Sequence, residues 1–335
     1  MKLGLSQATY RWVCYPWLRF DVPEFRYSER RLPYFMSVDP PDVSGPPVDW
    51  LVDRVLEHDL TSLYMEAGWL SDDGISSSFK SRMQANDLAF IGSCSANLAA
   101  TEEEWGDPTY PLPAEARERV VYRSTSGDHG WTGGSQFEVL VRAMELAAAA
   151  GGRIINVVHD VPARHNHFTK EPPIDRQIER MIRNFRTLAP VAESLSIVMA
   201  TEAHMDYRCA DYLAVMQAVD SPWLRHCFDF ANPITVIEDP LDAVKLVAPY
   251  TVVTHIKDMH ARPMTHLGEP RFFHAPIGSG DVPIEAILEV LQSEAPDPDS
   301  LEHCLEIVPT SEYNPEAWLN ASLDWLRTNC AKFWN

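Results

Sequence analysis

A chain of 335 residues that is 45% hydrophobic can bury one large core, and a single α/β barrel reaches this length without needing a second domain. The formal net charge of −20 argues against nucleic acid as a partner, because phosphate binding needs clustered Lys and Arg, and the acidity reads as a soluble surface. No apolar run approaches a membrane span, the start MKLGLSQATY is strand-like, and the cysteines (Cys14, Cys94, Cys209, Cys227, Cys304, Cys330) show no CxxC spacing, so a cytoplasmic protein with reduced thiols is expected.

Lys2 to Ala8 reads as a first strand. Residues Thr9 to Val48 then form a long stretch with Tyr10, Trp12, Tyr15, Trp17, Phe20, Phe25, Tyr34 and Phe35 interleaved with Arg, followed by a Pro-rich segment. Loops this long inside a compact domain are usually functional. A lid over a flat apolar substrate, a contact for another subunit, and a satellite core over the mouth of the fold are all consistent with its composition.

Trp50 to His58 fits a helix, and Ser62 to Glu66 a second strand that ends in Glu66 with Trp69 close by. Phe79 to Asn86 is helical and Leu88 to Cys94 is a third strand. Thr101 to His129 is polar and Pro-containing, with room for a short helix. Ser135 to Ala150 is the strongest helix, with Ser135 as cap, apolar residues at helical spacing and Gly151–Gly152 to end it. Arg153 to Val158 is a fourth strand with His159 and Asp160 at its tip, and Asp175 to Leu195 is its helix.

From Ser196 the pattern of strand, polar tip and helix is clearest. SIVMATEAHMD carries Glu202 and His204, RHCFDFANP carries Asp229 and Asn232, and TVVTHIKDM carries His255, Lys257 and Asp258. Met259 to Gly280 reads as a long loop rich in His, Arg and Pro, before a helix at Pro283–Ser293. Leu301 to Glu306 is an eighth strand and Asn314 to Phe333 its helix. Eight βα units in one chain predict a single-domain (β/α)8 barrel over residues 1–335, whose site is built from the C-terminal ends of the strands.

Glu202, Asp229, His255 and Glu306 end four successive strands. Any one carboxylate there is often only the cap of the next helix. Four in register, at a buried mouth where an unpaired charge is costly, point to a divalent metal such as Mn, Mg, Co or Zn, all suited to carboxylate and imidazole donors. No nucleotide cofactor is expected. In IINVVHD, alternation puts His159 in phase with Ile155 and Val157. If Val157 points into the barrel, His159 is a base at the mouth; otherwise it is a structural histidine bonded to Asp160 or a loop carbonyl. Lys257 lies on the same face as His255, where it stabilises an oxyanion or pairs with Glu306 or Asp258. His204, Arg262, Glu66, Trp69, Trp12 and Trp17 are candidate substrate contacts.

The ordered set TEAHMD, FDFANP, THIKDM, GSGDVPIEAIL and LEIVP resembles the xylose-isomerase-like TIM-barrel superfamily of sugar isomerases and epimerases, most clearly from Ser135 to Glu306. The resemblance implies a metal on Glu202, Asp229, His255 and Glu306. The chain departs from the family pattern at Ala203 and Ala231. It also has Asn232 where the ketose 3-epimerase branch has His, and Arg208 where that branch has a second catalytic Glu. Within the superfamily the chain is similar to the large subunit of bacterial C-glycoside deglycosidases. That likeness implies a 3-oxo-glycoside substrate cleaved by β-elimination, bound Mn, a small β-type partner subunit and an oligomer. The alternative is isomerisation or epimerisation of a free keto sugar or an inositol derivative.

Overall fold

The computed structural model describes residues 2–10, 47–125, 128–159, 169–263, 270–308 and 314–334. Most of the expected aromatic lid, including Trp12 and Trp17, lies outside the described residues. Eight parallel strands close into the expected (β/α)8 barrel: β1 (Lys2–Ser6), β2 (Ser62–Glu66), β3 (Ala89–Ala96), β4 (Ile154–His159), β5 (Val198–Glu202), β6 (Leu224–Asp229), β7 (Thr251–Ile256) and β8 (Glu302–Leu305). They neighbour one another in chain order, and β8 pairs with β1. Their outer ring is α1 (Val48–Glu57), α2 (Asp73–Ala85), α3 (Gln136–Ala149), α4 (Ile174–Leu195), α5 (Cys209–Val219), α6 (Pro240–Val247), α7 (Ile284–Glu294) and α8 (Pro315–Asn329). No described helix is long and apolar enough to cross a membrane.

The alternation of each strand divides the core in two. Leu5, Leu63, Met65, Ile155, Val157, Met199 and Phe228 point outward into the large layer between sheet and helices. Tyr64, Ile91, Ala200, Cys227, Val253 and Cys304 fill the barrel interior. Register carries this phase from strand to strand: Asn156 pairs with Ala200 and Val158 with Glu202, so these β4 residues face inward.

Two segments expected as irregular are antiparallel hairpins. Val121–Thr125 pairs with Asp128–Thr132 beyond β3, and Asp258–Pro263 pairs with Pro270–Ala275 beyond β7. Neither has the apolar–polar alternation that marks a strand in sequence: VYRST and DHGWT are mostly polar, and Pro, His and Arg interrupt DMHARP and PRFFHA. The expected short helix after Thr101 is two short ones, Glu102–Trp105 and Ala114–Arg119.

Asp258, directly after Lys257, straps the following Gly-x-Gly loop onto the end of β7. Its carboxylate accepts the backbone N–H groups of Met259 (2.8 Å), Gly278 (2.9 Å), Gly280 (2.8 Å) and Val282 (3.2 Å). The approach is so close that a Cβ on Gly280 would stand 2.0 Å from Asp258 Oδ1, which only glycine avoids. Asp258→Ala strands these donors, two of them buried, and is expected to cost about 2–4 kcal/mol in urea unfolding. Gly280→Ala should move stability in the same direction. An unchanged unfolding midpoint for both variants would show that the loop is held by other contacts.

Candidate metal centre

Glu202 is the last residue of β5 and Asp229 the last of β6; His255 lies on β7 and Glu306 directly follows β8. Each offers one donor atom, and these atoms all lie within 4.8 Å of one another. His255 Nδ1 stands 3.4 Å from Glu202 Oε1, 3.6 Å from Glu306 Oε2 and 3.9 Å from Asp229 Oδ2. The group is almost dry, with Glu306 keeping the largest exposure at 12% of its side chain.

Lys257, two residues beyond His255 and in the same strand phase, enters the cluster from one side. Its Nζ lies 2.8 Å from Asp229 Oδ2 and 2.5 Å from Glu306 Oε2, and donates to Asn232 Oδ1 at 3.3 Å. The two carboxylate oxygens it touches are the ones that face His255. Asp229 serves two roles at once. Its Oδ1 accepts the backbone N–H groups of Ala231 and Asn232, both at 2.8 Å, so it caps the next turn while Oδ2 stays with the cluster.

Amide side chains hold both oxygens of Glu202. Asn232 Nδ2 donates to Oε1 at 3.0 Å and Asn156 Nδ2 to Oε2 at 2.6 Å. Asn156 also donates to the Tyr64 hydroxyl, which donates to Ser93 Oγ, both at 2.9 Å. Tyr64 meets the His255 ring edge-on, with centroids 4.5 Å apart. A polar ladder therefore runs from the barrel interior up to the cluster.

Burial alone would neutralise these acids, and their neighbours decide otherwise. Burial pushes Glu202 up, but the charge of His255 beside it, with that of His204, brings it down to about 2. Burial also raises Glu306, which Lys257 and His255 pull below the usual carboxylate range. Burial, with Glu202 and Glu306 beside it, lifts Asp229 to about 6 against the pull of Lys257. For His255 burial lowers proton affinity, yet Cys227, Glu202 and Glu306 hold it well above the usual histidine range. Cys227 could join Glu202 and His255 as a donor. Burial pushes its thiol up to about 12, so the three carboxylates and the imidazole are the better set.

The donor set fits a divalent cation. Neither ring nitrogen of His255 has a hydrogen-bond partner, although both are buried. Three carboxylates converge on its Nδ1 with Lys257 as the other cation among them. Glu202, Asp229, His255 and Glu306 would hold the ion, and Asn156 and Asn232 would orient the first of them.

Other expected site residues separate. His159 is fully buried and faces the helices, one phase away from the barrel axis. Its Nδ1 accepts the Leu98 N–H at 3.2 Å, and its ring packs edge-on against Tyr207, so the expected base at the mouth is a structural histidine. Val157, whose inward orientation was the condition for a base at position 159, packs outward; Asn156 and Val158 point in. Trp69 sits in the short 3-10 turn Ala67–Leu70, 1% exposed in the outer core, and is no substrate contact. Arg262 is on the rim hairpin beyond β7, exposed and ion-paired to Asp281. His204 is half-buried beside the cluster, close enough to depress both Glu202 and Glu306. Glu66 ends β2 at the mouth and accepts from Trp131 Nε1 at 3.2 Å. Sequence reasoning missed Asn156, Tyr64 and Trp131. The first two sit inside apolar strand runs, and only the interior phase of those runs could have marked them.

Glu202→Ala and His255→Ala are expected to abolish stoichiometric metal in elemental analysis after dialysis. Asn156→Ala should weaken affinity by about 10–100-fold in calorimetric titration, with the fold retained. Metal uptake should release protons and weaken as pH falls, because His255 must lose its proton to coordinate. Retention of metal by both alanine variants would place the ion elsewhere.

Residues 113–329 match the xylose isomerase-like TIM barrel family. Over 224 residues the chain is 27% identical to a 3-oxo-isoapionate decarboxylase of Pectobacterium atrosepticum, covering 64% of this chain and 77% of that one. Among solved structures, 3-keto-D-glucoside 4-epimerase YcjR from E. coli aligns over 98% of this chain and 99% of its own with a TM-score of 0.62 at 15% identity. The IolI protein with a bound zinc atom aligns over 100% of both chains with a TM-score of 0.59 at 11% identity. At these identities the two structures share the fold with this chain.

Proposed function

Since the chain belongs to the xylose isomerase-like TIM barrel family, we propose that it is a divalent-metal-dependent carbohydrate enzyme that labilises a bond next to a sugar carbonyl. The observation that supports this most is the buried quartet of Glu202, Asp229, His255 and Glu306 with the Lys257 ammonium against it. A cation held there supplies Lewis acidity. Lys257, its charge secured by Asp229 and Glu306 and its head fixed by Asn232, offers positive charge to an oxyanion as it develops. His204, in the same stretch beyond Glu202, is the group we assign to move the proton in place of His159.

A 3-oxo carbohydrate is the substrate class we favour. The curated relative in Pectobacterium is named for a 3-oxo sugar acid. In the finer reading, the substrate is a 3-oxo-C-glycoside. Removal of its C2 proton leaves an electron pair that forms the C1–C2 double bond, and the aromatic carbon departs from C1 and takes up a proton. This reading includes a small β-type partner subunit and Mn as the ion. The second reading is decarboxylation of a 3-oxo sugar acid, favoured by that relative. There CO2 leaves with the carbonyl-stabilised pair remaining on carbon, which His204 then protonates. Epimerisation between two facing carboxylates is less well supported, because Arg208 is exposed at the start of α5 where the second acid would be needed.

Incubation with Mn in deuterated buffer tests the reading. The wild-type chain is expected to exchange the proton next to the carbonyl of a 3-oxo-glucoside, and His204→Ala to slow exchange by about 10²–10⁴-fold with metal still bound. Exchange at the wild-type rate in His204→Ala would assign the base to another group. No exchange, cleavage or CO2 release from a 3-oxo-C-glucoside, a 3-oxo sugar acid or a free ketose, with or without a partner subunit, would overturn the reading.

A further inference from the structure

The quartet comes from four adjacent strands, β5 to β8, so the other half of the mouth, from β1 to β4, carries no metal-donor cluster among the described residues. That half is not featureless. A cavity of about 330 Å³ opens between the ends of β2 and β3, the hairpin Val121–Thr132 and the start of α3. Glu66, Ser95, Tyr122, Trp131 and Gln136 line it. Glu66 is the inward-facing last residue of β2, in phase with Tyr64, and Ser95 stands in the same phase on β3. Trp131 is held in place twice: its Nε1 donates to Glu66 Oε1 at 3.2 Å, and its ring meets Tyr122 edge-on with centroids 5.2 Å apart. Gln136 is likewise fixed, its Oε1 accepting the Asn97 N–H at 2.8 Å.

A carboxylate, a hydroxyl and an anchored indole are the groups that recognise a hydroxylated ring. The carboxylate accepts from sugar hydroxyls, and the indole covers the C–H face. The volume is that of a small-molecule site. None of the described side chains lining it is a Lys, Arg or His. The α3 N-terminus, which would otherwise favour an anion, is already closed by its own capping box: Ser135 N–H donates to Glu138 Oε2 at 2.9 Å and Glu138 N–H to Ser135 Oγ at 3.3 Å. Glu66 would repel a phosphate or carboxylate brought into this space.

We propose that the cavity between Glu66 and Trp131 is a subsite for the uncharged, hydroxyl-bearing part of the substrate, and that Glu66 makes the enzyme select neutral sugars over sugar phosphates and sugar acids extended in that direction. This rests on the carbohydrate reading and deepens it. The reacting carbonyl belongs to the β5–β8 half, the spectator hydroxyls belong to the β1–β4 half, and any carboxylate on the substrate must lie toward Lys257.

Binding to the full chain can be measured apart from turnover by saturation-transfer NMR with methyl β-D-glucopyranoside as the neutral probe and glucose 6-phosphate as the anionic one. The wild-type protein and Glu202→Ala should both bind the neutral probe and discriminate against the phosphate. Glu66→Gln is expected to weaken the neutral probe by about tenfold, the loss of one charge-assisted hydrogen bond, and to narrow the discrimination. Trp131→Phe should keep part of the affinity, and Trp131→Ala should lose it. Equal binding of both probes, unchanged binding in Glu66→Gln and Trp131→Ala, or no binding of either probe would overturn the subsite. Deuterium exchange by the same wild-type sample reports on the catalytic reading separately. Exchange without Glu66-dependent binding sinks the subsite alone, and Glu66-dependent binding without exchange sinks the catalytic reading alone.

Discussion

Mutual repulsion among Glu202, Asp229 and Glu306 is the constraint that organises the mouth of this barrel. Each is drawn there by the end of its own strand, and none has water enough to screen it. The structure answers with two cations and two amides. His255 sits between the three acids, Lys257 bridges two of them, and Asn156 and Asn232 take both oxygens of the third. Removal of any one of these partners leaves a buried charge or acceptor exposed to the others, so the cluster acts as a unit. Lys257, in contact with Asp229 and Glu306, would stand beside a divalent ion that these residues hold. A substrate oxygen arriving beside the ion would thus find the ammonium already in position.

Support for this cluster extends well below it. Tyr64 and Ser93 lie deeper in the barrel than Glu202, yet they reach it through Asn156. On the far side of Lys257, Asp258 faces away from the acids and binds the N–H of its neighbour Met259 and three backbone N–H groups of the next loop. Consecutive residues at one strand end therefore split the work. The phase of His255 and Lys257 turns inward to the acids, and the phase of Asp258 anchors the loop that shapes the rim.

The mouth is asymmetric in charge and in chemistry. Strands β5 to β8 contribute the acids, His255 and Lys257, whereas the β2 and β3 ends contribute Glu66 and Ser95 to a cavity roofed by Trp131. That division suits a substrate with one reactive end and one end that is merely recognised. Binding energy from the recognised end can then hold the reactive end in place.

The rhythm of apolar runs, polar tips and amphipathic helices was enough to read the barrel from the chain, since each βα unit carries its own local periods. The order of Glu202, Asp229, His255 and Glu306 could be read too, because strand ends of a closed barrel must converge on one face. Which face of a strand points inward could not be read. In IINVVH both phases are filled with residues that suit burial, because a barrel strand is buried on both sides, and alternation alone made His159 look like a mouth residue. Only pairing with Ala200 and Glu202 settles that Asn156 faces the axis and His159 the helices. The two hairpins, and with them Trp131, were equally hidden, because short strands of this kind carry no period-two apolar pattern of their own. Local periodicity is written along the chain, so the sequence by itself determined the strands and helices of the barrel and their order. The phase of each strand against its neighbours is a property of the closed sheet, and only the tertiary structure decided which polar residues meet.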